Sequence, residues 1–550
     1  MHSTMQNVGL QIRRLLDHGA TVHGGSQIIT ADPARDQPAR VDFADIAVNA
    51  ARLANALRAL GVRSGDRVAT FMWNNQQHVE AYFAVPAMGA VLHPLNIRLT
   101  GDQIAYIVDH AKDKVVIVDH SLVDAFAAIL PELTTIECVI VNGTHDITPL
   151  DVPGVPVHHY DALLDGQPVA YSWPDVDETS PAAVCYTSGT TGRPKGVVYS
   201  HRSIYLHALA SSLPDAFDLS ARDTVLAVVP QFHVLAWGLP YSAFLTGASL
   251  AMPDRHLGPE PLARFITAAK ATKGAAVPTV WTGLLHHLDR HPPREPLPLR
   301  EAIVGGSAMP ASLLDGFAQR HNITMVQGWG MTEMSPLGTV SRPPAHTSGD
   351  EATRYRLTQG RLLGPVEAKL IDDAGRELPW DDTTVGELLV KGPWVTATYH
   401  GDTEPDPEKF LDGWLRTGDV GRLSSDGYLT LTDRAKDIIK SGGEWISSVE
   451  LEGLLAGHPA VAEAAVIGVP DDKWGERPLA VVVLTAGHTA TPAELRGYLA
   501  DHVARWQVPE QWAYIDEVPK TSVGKFDKKV LRAQHAAGHL TVEHLHPTNT

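Results

Sequence analysis

Residues 224–253 contain no aspartate, glutamate, lysine or arginine, and this run of 30 uncharged residues restricts how the chain can fold. A run of this length can either cross a bilayer or lie buried in a protein core. It includes Pro230, Gly238 and Pro240, and no cluster of lysines and arginines flanks it. Membrane-spanning helices normally have such flanking charges. The run therefore predicts a buried strand, loop and helix rather than a membrane span.

The composition is that of a globular protein with more than one core. Hydrophobic residues make up 44% of the 550 residues and charged residues 20%, which excludes disorder as the main state. The formal charge of −18 disfavours binding to a nucleic-acid backbone, although a local basic site for a nucleotide is compatible with it. The two cysteines, Cys138 and Cys185, exclude a disulfide scaffold. The first twenty residues lack the apolar core of a signal peptide, so a cytoplasmic location is expected.

The first half of the chain alternates between helix and strand patterns. Apolar residues at helical spacing predict one helix from Ile46 to near Gly61 and another over residues 77–88. Short apolar runs at residues 68–72 and 91–95 predict buried strands. Strands and helices that alternate in this way predict parallel sheets covered by helices, which is an α/β fold.

The last part of the chain has a different pattern. Ser447–Ala456 is predicted to be a helix, and 461–469 and 479–484 are predicted to be strands. Thr491 and Glu494 form a capping-box pattern with proline at the first helical position. We expect a large N-terminal domain over residues 1–432, a hinge at 433–436, a small α+β C-terminal domain over 437–536 and a frayed tail over 537–550.

A segment rich in glycine and hydroxyl residues, YTSGTTGRPKG at 186–196, follows an apolar strand pattern at 182–185. Such a loop can place backbone N–H groups and hydroxyls on phosphate oxygens, and Lys195 adds a positive charge. Its glycine-to-lysine spacing differs from that of a Walker loop, and no serine or threonine follows the lysine. The segment predicts a phosphate-binding loop, and a flexible surface loop is the alternative.

Two further segments contain candidate ligand-binding side chains. In GWGMTEMSP at 328–336, the glycines that flank Trp329 can leave its ring open to a flat base. Glu333 offers a carboxylate that could hold a Mg²⁺ ion bridging phosphates. The segment GWLRTGD at 413–419 ends in Asp419, although an aspartate after glycine is also typical of an ordinary turn.

The last two segments lie towards the C-terminus. One, DRAKDIIKSGGEWI at 433–446, coincides with the predicted hinge. The other, PKTSVGKFDKK at 519–529, places Lys525 on a loop next to a glycine. Taken alone, lysines in such a run are typical of a solvated surface. These two segments become informative about function because they follow the three preceding segments in order.

In order and spacing, the five segments resemble the acyl-adenylate-forming superfamily, which includes acyl-CoA synthetases, nonribosomal-peptide adenylation domains and luciferases. The resemblance extends from about residue 40 to about residue 535. It is most similar to medium- and long-chain fatty-acyl-CoA synthetases in QFHVLAWGLPY at 231–241, SGGEWISSVELE at 441–452 and VIGVPDDKWGERP at 466–478. The resemblance implies a large domain of parallel-rich sheets packed with helices, with a small barrel-like subdomain, and a small, mobile α+β C-terminal domain.

The resemblance also implies a reaction in two steps. A carboxylate attacks the α-phosphate of ATP, which gives acyl-AMP and pyrophosphate, and the thiol of coenzyme A then displaces AMP. The expected ligands are therefore ATP, Mg²⁺, coenzyme A and a small-molecule carboxylic acid. A homodimer is expected by analogy, and neither nucleic-acid binding nor stable membrane insertion is expected.

The resemblance assigns roles to the residues that match its motifs. Thr332 would bind the α-phosphate, Glu333 the Mg²⁺ ion, and Lys525 would bridge the substrate carboxylate and the α-phosphate. Trp329 would stack on adenine, Asp419 would accept both ribose hydroxyls and Arg434 would reach ribose or phosphate. The remaining nucleotide contacts would come from Thr187, Ser188, Gly189, Thr190, Thr191, Gly192 and Lys195 on the β- and γ-phosphates, and from Gly306, Ser307, Gly328 and Gly330 around the base.

Other matched positions belong to the acid and to coenzyme A. His233 lies between the nucleotide and the acid, and Trp237 can control entry to the acyl pocket. The pocket would be lined by Val234, Leu235, Trp237, Gly305 and Met331, and the coenzyme A channel by Ser441, Gly442, Gly443, Glu444 and Trp445. Lys436 matches the residue about which the small domain turns between the two steps.

Two alternatives remain open at this point. The acceptor could be an amine or a carrier-protein pantetheine instead of coenzyme A, because the same adenylation residues would serve all three. A catalytically silent nucleotide-binding protein is disfavoured because Lys525, Glu333 and Asp419 are all present. Relatives often have methionine and asparagine where Gln231 and Leu235 stand, which leaves the preferred acid open between medium or long aliphatic acids and arylalkanoic acids.

Overall fold

The computed structural model describes residues 3–32, 35, 37–144, 146–187, 193–442, 444–521 and 525–545. Within these residues the strands form three sheets, two before residue 435 and one after it. The two larger sheets and their helices make a large body, and the third sheet with its helices makes a small one. Every helix in the described part of the chain is too short or too polar to cross a membrane.

The first sheet contains seven strands and is almost entirely parallel. Its spatial order is Val157–His159, Cys138–Asn142, Asp113–Asp119, Arg67–Phe71, Val91–Pro94, Pro181–Tyr186 and Gly196–Ser200. Only the last strand is antiparallel to its neighbour. The helices Phe43–Ala59 and Gln76–Ala87 alternate with these strands, so the predicted α/β pattern of the first half is confirmed.

The second sheet is larger and has a parallel and an antiparallel half. The parallel half runs in the order Gln27–Thr30, Ser249–Met252, Thr224–Ala227, Lys273–Ala276, Glu301–Gly305 and Thr324–Gly330, with Ala39–Asp42 antiparallel at the outer edge. The antiparallel half continues with Leu337–Val340, Gly360–Leu362, Tyr428–Arg434, Trp414–Leu423, Gly386–Lys391, Glu367–Ile371 and Glu377–Leu378, and Phe410–Leu411 pairs with Trp414–Leu423.

Helices cover the faces of both sheets. The remaining helices of the large body are Ile12–Val22, Gly101–Ala111, Val123–Ala127, Tyr160–Leu164, His201–Ser211, Leu239–Thr246, Pro259–Ala269, Pro278–Arg290, Ala311–His321 and Gly349–Leu357. Single 3₁₀ turns occur at His120–Leu122, Leu130–Glu132, Thr148–Leu150, Thr332–Met334 and, in the small body, Arg505–Gln507.

The uncharged run at 224–253 is buried in the large body, as predicted. It forms a strand, a turn, the helix Leu239–Thr246 and a second strand. Phe244 stacks on Phe43 with ring centroids 3.9 Å apart, and a Cβ on Gly19 would lie 2.3 Å from the Phe244 ring. Burial of one such phenylalanine contributes about 1.5–3 kcal/mol, so packing in the core stabilises this uncharged run.

The small body contains a mixed sheet between helices. The strands Glu444–Ile446, Ile439–Ser441, Gly475–Leu484, Gln511–Tyr514 and Val542–His544 lie in this order, and Val461–Asp471 pairs with Gly475–Leu484. The helices are Ser448–Ala456, Pro492–Ala500 and Lys528–Ala536. Thr491 and Glu494 form the predicted capping box at the start of the second helix. The predicted α+β character is therefore confirmed.

The C-terminal stretch differs from its prediction as a frayed tail. Val542–His544 adds an antiparallel edge strand to Gln511–Ala513, and Leu545 N donates to the carbonyl of Glu510. Main-chain hydrogen bonds to the open edge of the sheet order this stretch, and its polar sequence gave no signal of them. At the predicted hinge, the strand Tyr428–Arg434 continues through Asp433 and Arg434 before the chain turns into the small body.

Candidate active site

Two parallel strands end side by side at one edge of the large sheet and position several predicted residues. Gly305 pairs with Gly328 at the ends of Glu301–Gly305 and Thr324–Gly330. Gly306 and Ser307 follow the first strand and are exposed. A Cβ on Gly330 would lie 2.0 Å from the carbonyl oxygen of Pro336, so only glycine fits there. Carboxyl ends of parallel strands are the usual place for ligand sites in such sheets.

The predicted adenine and ribose residues contact one another. The Trp329 indole Nε1 donates to Asp419 Oδ2 at 2.8 Å, and Arg434 Nε lies 3.4 Å from Asp419 Oδ1. Asp419 and Arg434 are directly opposite each other on neighbouring antiparallel strands. An ionised carboxylate can accept about four hydrogen bonds, so Asp419 retains acceptor capacity while it holds both partners.

The turn Thr332–Met334 brings the predicted phosphate and metal residues to the same edge. The Tyr199 hydroxyl donates to the carbonyl of Thr332 at 2.7 Å. The Tyr399 hydroxyl donates to Glu333 Oε1 at 2.8 Å, and Thr396 N donates to the carbonyl of Glu333 at 2.8 Å. Burial first, and then the charge of Glu333, raise the pKa of Tyr399, so its hydroxyl stays protonated and donates.

The ends of the predicted phosphate loop are held together. Thr187 N donates to the carbonyl of Lys195 at 2.9 Å, and Lys195 N donates to Thr187 Oγ1 at 3.2 Å. The predicted contacts Ser188, Gly189, Thr190, Thr191 and Gly192 lie outside the described residues. The Lys195 ammonium is 3.1 Å from Asp406 Oδ2 and 4.7 Å from the centre of the Tyr399 ring. Tyr399 therefore lies between Lys195, which contacts its ring, and Glu333, which accepts from its hydroxyl.

Lys525 reaches this site from the small body. A Cβ on Gly306, whose φ is +90°, would lie 3.3 Å from Lys525 Cε. Burial and the nearby Arg434 lower the pKa of Lys525 to about 8, and the carboxylates of Asp419 and Glu333 oppose this shift. These four charged residues therefore share one site, which is built from both bodies.

The predicted acyl-pocket residues form an unusual turn. Val234, Leu235, Ala236 and Trp237 all have φ between 44° and 55°, in the left-handed helical region. All four are buried, and a Cβ on Gly305 would lie 2.8 Å from the Trp237 ring. Left-handed helical backbone costs roughly 1–2 kcal/mol per residue for L-amino acids. Such strain persists where the surrounding structure enforces it, which is common at functional sites.

The other two predicted residues are His233, which directly precedes this turn, and Met331. Burial, and then the charges of Lys525 and Arg98, lower the pKa of His233 to about 3, so its imidazole is neutral. Met331 is partly buried and packs in the cluster that contains Trp329, whereas Leu235 and Trp237 belong to the main core. The structure thus brings Trp237 and Gly305 together, whereas Met331 lies in a separate cluster with Trp329.

The residues predicted for coenzyme A lie on a hairpin of the small body. Ser441 ends one strand, and Glu444 and Trp445 begin the next, with both side chains exposed. Gly442 has φ +63°, and a Cβ there would lie 2.6 Å from the Trp474 ring. Gly443 lies outside the described residues. Lys436 lies in the turn after Arg434, where Asp437 N and Ile438 N both donate to the Arg434 carbonyl.

Tyr199, Tyr399 and Asp406 were not predicted from the sequence. These residues contact predicted site residues, but each stands outside the five segments. Tyrosines are common in protein cores, so the sequence offered no signal that could have separated Tyr199 and Tyr399 from packing positions.

A polar cavity of about 470 Å³ lies apart from this site. It is open to solvent between three helices of the large body, and none of the predicted site residues lines it. Its buried Glu80 already accepts hydrogen bonds from Asn49, Gln76 and Tyr160. The network satisfies the carboxylate, which supports a structural role for the cavity wall.

Comparison with known families agrees with this arrangement. A family described as AMP-binding enzyme matches residues 16–400, and the AMP-binding enzyme C-terminal domain matches residues 450–525. The chain belongs to the AMP-binding enzyme family. The two matches fall on the large and the small body, and the resemblance inferred from the five segments is confirmed.

Relatives of this AMP-binding enzyme are similar over nearly its whole length. It is 42% identical to a 3-methylmercaptopropionyl-CoA ligase of Ruegeria lacuscaerulensis over 97% of this chain and 98% of the relative. It is 41% identical to a medium-chain-fatty-acid–CoA ligase of Ectopseudomonas oleovorans over 97% and 98%. The crystal structure of the anthranilate CoA ligase AuaEII in complex with anthranoyl-AMP has the same fold, with a TM-score of 0.87 at 24% identity over 98% of this chain and 100% of that chain.

Proposed function

We propose that this AMP-binding enzyme is an ATP-dependent acyl-CoA synthetase whose adenylation residues are those gathered at the strand edge. The observation that carries the proposal is the position of Lys525, which extends from the small body to Gly306 beside Glu333 and Asp419. Relatives at 41–42% identity that match 97% of the chain are CoA ligases. The chain is accordingly an AMP-forming acid–thiol ligase.

The first step requires compensation of negative charge. A carboxylate must approach the α-phosphate of an anionic nucleotide, and fixed cations that face the transition state lower this barrier. Lys525 and Arg434 supply the cations, and Thr332 lies on the turn that contains Glu333. Asp419 would accept hydrogen bonds from ribose, and Trp329, which is only 7% exposed, lies next to it where adenine would bind. Neutral His233 separates the nucleotide from the acyl side without adding charge.

The donor set around Glu333 fits a Mg²⁺ ion that arrives with the nucleotide. Among the described residues, no group of three or more histidines, cysteines and acids could hold a metal ion. Mg²⁺ commonly binds one or two carboxylates together with substrate phosphates and water, which matches a single carboxylate at this position. When bound, the ion would neutralise phosphate charge, and Glu333 would hold it.

The second step is assigned to the small body. We propose that it turns about Lys436 after adenylation, which withdraws Lys525 and presents the hairpin at 441–445 to coenzyme A. One acyl site could then serve both steps. The exposed Glu444 and Trp445 are available for such a contact in the present arrangement. Transfer to an amine or a carrier protein would use the same first step.

For the acid we propose a medium- or long-chain aliphatic or an arylalkanoic carboxylate. The turn at 234–237 and the Trp237 ring against Gly305 give the acyl side an apolar wall. Relatives at nearly equal identity are named for acids as different as 3-methylmercaptopropionate and medium-chain fatty acids. Overall identity therefore does not select the acid.

A panel of acids tests both the activity and the acid. We expect carboxylate-dependent exchange of pyrophosphate into ATP with aliphatic acids of medium or long chain length, and AMP release that requires coenzyme A as acceptor. Mass spectrometry of the product distinguishes the thioester from an amide. If none of the acids supports exchange, the proposed adenylation activity is refuted. If AMP is released with amino acids or a carrier protein but not with coenzyme A, the proposal that coenzyme A is the acceptor is refuted.

The lowered pKa of Lys525 predicts how adenylation depends on pH. The ammonium form is needed, and its pKa of about 8 means that the free enzyme loses the proton above that pH. We expect kcat/KM for acyl-AMP formation to fall as pH rises through about 8, since this parameter reports groups of the free enzyme. A guanidinium stays charged throughout this range. The residual activity of Lys525→Arg should therefore lack this fall at high pH, the alkaline limb of the pH profile. If the alkaline limb is unchanged in Lys525→Arg, a group other than Lys525 causes it.

A further inference from the structure

The segment 396–400 connects the two sides of the phosphate site through its main chain. At one end, Thr396 N donates to the carbonyl of Glu333 at 2.8 Å. At the other end, His400 N donates to the carbonyl of Gly196 at 2.8 Å, and Gly196 directly follows Lys195. A Cβ on Gly196 would lie 3.0 Å from His400 Cβ, so the contact is close. The segment therefore fixes the separation between the Glu333 turn and the end of the phosphate loop.

Tyr399 makes the corresponding side-chain contacts from the middle of this segment. Its side chain is buried, and its hydroxyl donates to Glu333 Oε1 at 2.8 Å. The face of its ring lies 4.7 Å from the Lys195 ammonium, a cation–π distance. Asp406 holds the same ammonium at 3.1 Å. One aromatic side chain thus touches both the carboxylate and the lysine predicted to meet the polyphosphate.

The hydroxyl contact determines which way the carboxylate faces. A hydrogen bond to Oε1 restricts the rotation of the Glu333 carboxyl group, and Oε2 would then be the oxygen that holds a metal ion. Groups that orient a metal-binding carboxylate contribute substantially to metal affinity although they never touch the ion. Because the Tyr399 hydroxyl is buried and its own segment is tied at both ends, the orientation is set before any ligand binds.

We propose that Tyr399 is a positioning residue for the polyphosphate of a magnesium nucleotide: it orients Glu333 through its hydroxyl and holds Lys195 against its ring. The inference rests on the proposed function of the site and adds a residue to it. Tyr399→Phe removes only the hydroxyl, so it separates the carboxylate contact from the ring contact.

Calorimetric titration of ATP, with no acid present, tests this role without any turnover. For the wild type we expect ATP to bind more tightly as Mg²⁺ is raised. In Tyr399→Phe this gain should shrink about five- to tenfold, whereas ATP affinity without Mg²⁺ stays within about twofold, because the ring beside Lys195 remains. Tyr428→Phe is the matched control, since it also removes a buried hydroxyl, one that donates to the carbonyl of Arg342 outside the site.

A double-mutant cycle with Glu333→Gln shows whether Tyr399 acts through Glu333. In that background Tyr399→Phe should cause no further loss of the Mg²⁺-dependent gain. The melting temperatures of Tyr399→Phe and Tyr428→Phe are compared with each other to check that the folded state is retained. An unaltered Mg²⁺ dependence in Tyr399→Phe, or an equal loss in the presence and absence of the Glu333 carboxylate, would overturn the inference. If the wild type itself shows no Mg²⁺-dependent gain, the metal role proposed for Glu333 fails, and the inference with it.

Discussion

Replacement of Lys525 by alanine should abolish acyl-AMP formation and largely spare thioester formation from supplied acyl-AMP. Lys525 is the cation that the small body places at Gly306, where it interacts with the carboxylates of Glu333 and Asp419. Loss of one group that stabilises charge in a transition state typically costs a factor of about 100 to 1,000. The second step attacks a mixed anhydride that already exists, so it does not need a cation between a free carboxylate and the α-phosphate.

Two separate assays distinguish these half-reactions. Pyrophosphate exchange follows the first step, and consumption of coenzyme A with supplied acyl-AMP follows the second. Lys520→Ala is the matched control: this lysine lies on the same C-terminal segment but pairs with Glu463 and Glu517 within the small body. We expect it to change either step by less than about twofold. An equal loss of both steps in Lys525→Ala would show that the lysine supports the fold or the nucleotide rather than the first transition state.

The parts of the site that could be predicted from sequence are those whose chemistry is local. Glu333 follows Thr332 directly, and Asp419 ends a short segment with two glycines. Such positions are set by turns at the ends of strands, and a pattern of a few residues specifies them. The structure places Trp329, Asp419, Arg434 and Lys525 together, although Lys525 lies more than 90 residues after Arg434.

Contacts between distant segments could not be predicted in this way. Tyr399 reaches Glu333 across 66 residues, and Tyr199 reaches Thr332 across 133. Their hydroxyls find partners only because the strand Gly196–Ser200 and the loop at 396–400 pack against the turn Thr332–Met334. No local pattern contains that information, since buried tyrosines are equally expected in any core.

The turn at 234–237 shows a second reason why parts of the structure could not be predicted from the sequence. Local propensity argues against four consecutive left-handed residues, above all at the β-branched Val234. Burial of Val234, Leu235 and Trp237 supplies about 1.5–3 kcal/mol for each side chain, enough to offset the backbone cost. Tertiary packing therefore overrides the local preference, and the sequence predicts burial of this stretch but not its backbone conformation.

Replacement of Asp419 by asparagine should impair both half-reactions, in contrast to Lys525→Ala. Asparagine keeps the size of the side chain and one oxygen, but it loses the charge that faces Arg434 and the capacity to accept from both ribose hydroxyls. We expect ATP affinity and the use of supplied acyl-AMP to fall about 30-fold each, because the nucleotide is held in both steps. Calorimetry with ATP and the coenzyme A assay measure the two losses.

The same substitution should shift the alkaline limb of adenylation. The Asp419 carboxylate raises the pKa of Lys525 against the effects of burial and of Arg434, so its removal should move the limb from about pH 8 to lower pH. Asp382→Asn is the matched control, since it breaks an exposed pair with Arg422 on the strand that also contains Asp419. A normal second step in Asp419→Asn would place its role in the first transition state alone. An unshifted limb would show that Asp419 and Lys525 do not interact, because a carboxylate beside a buried ammonium must raise its pKa.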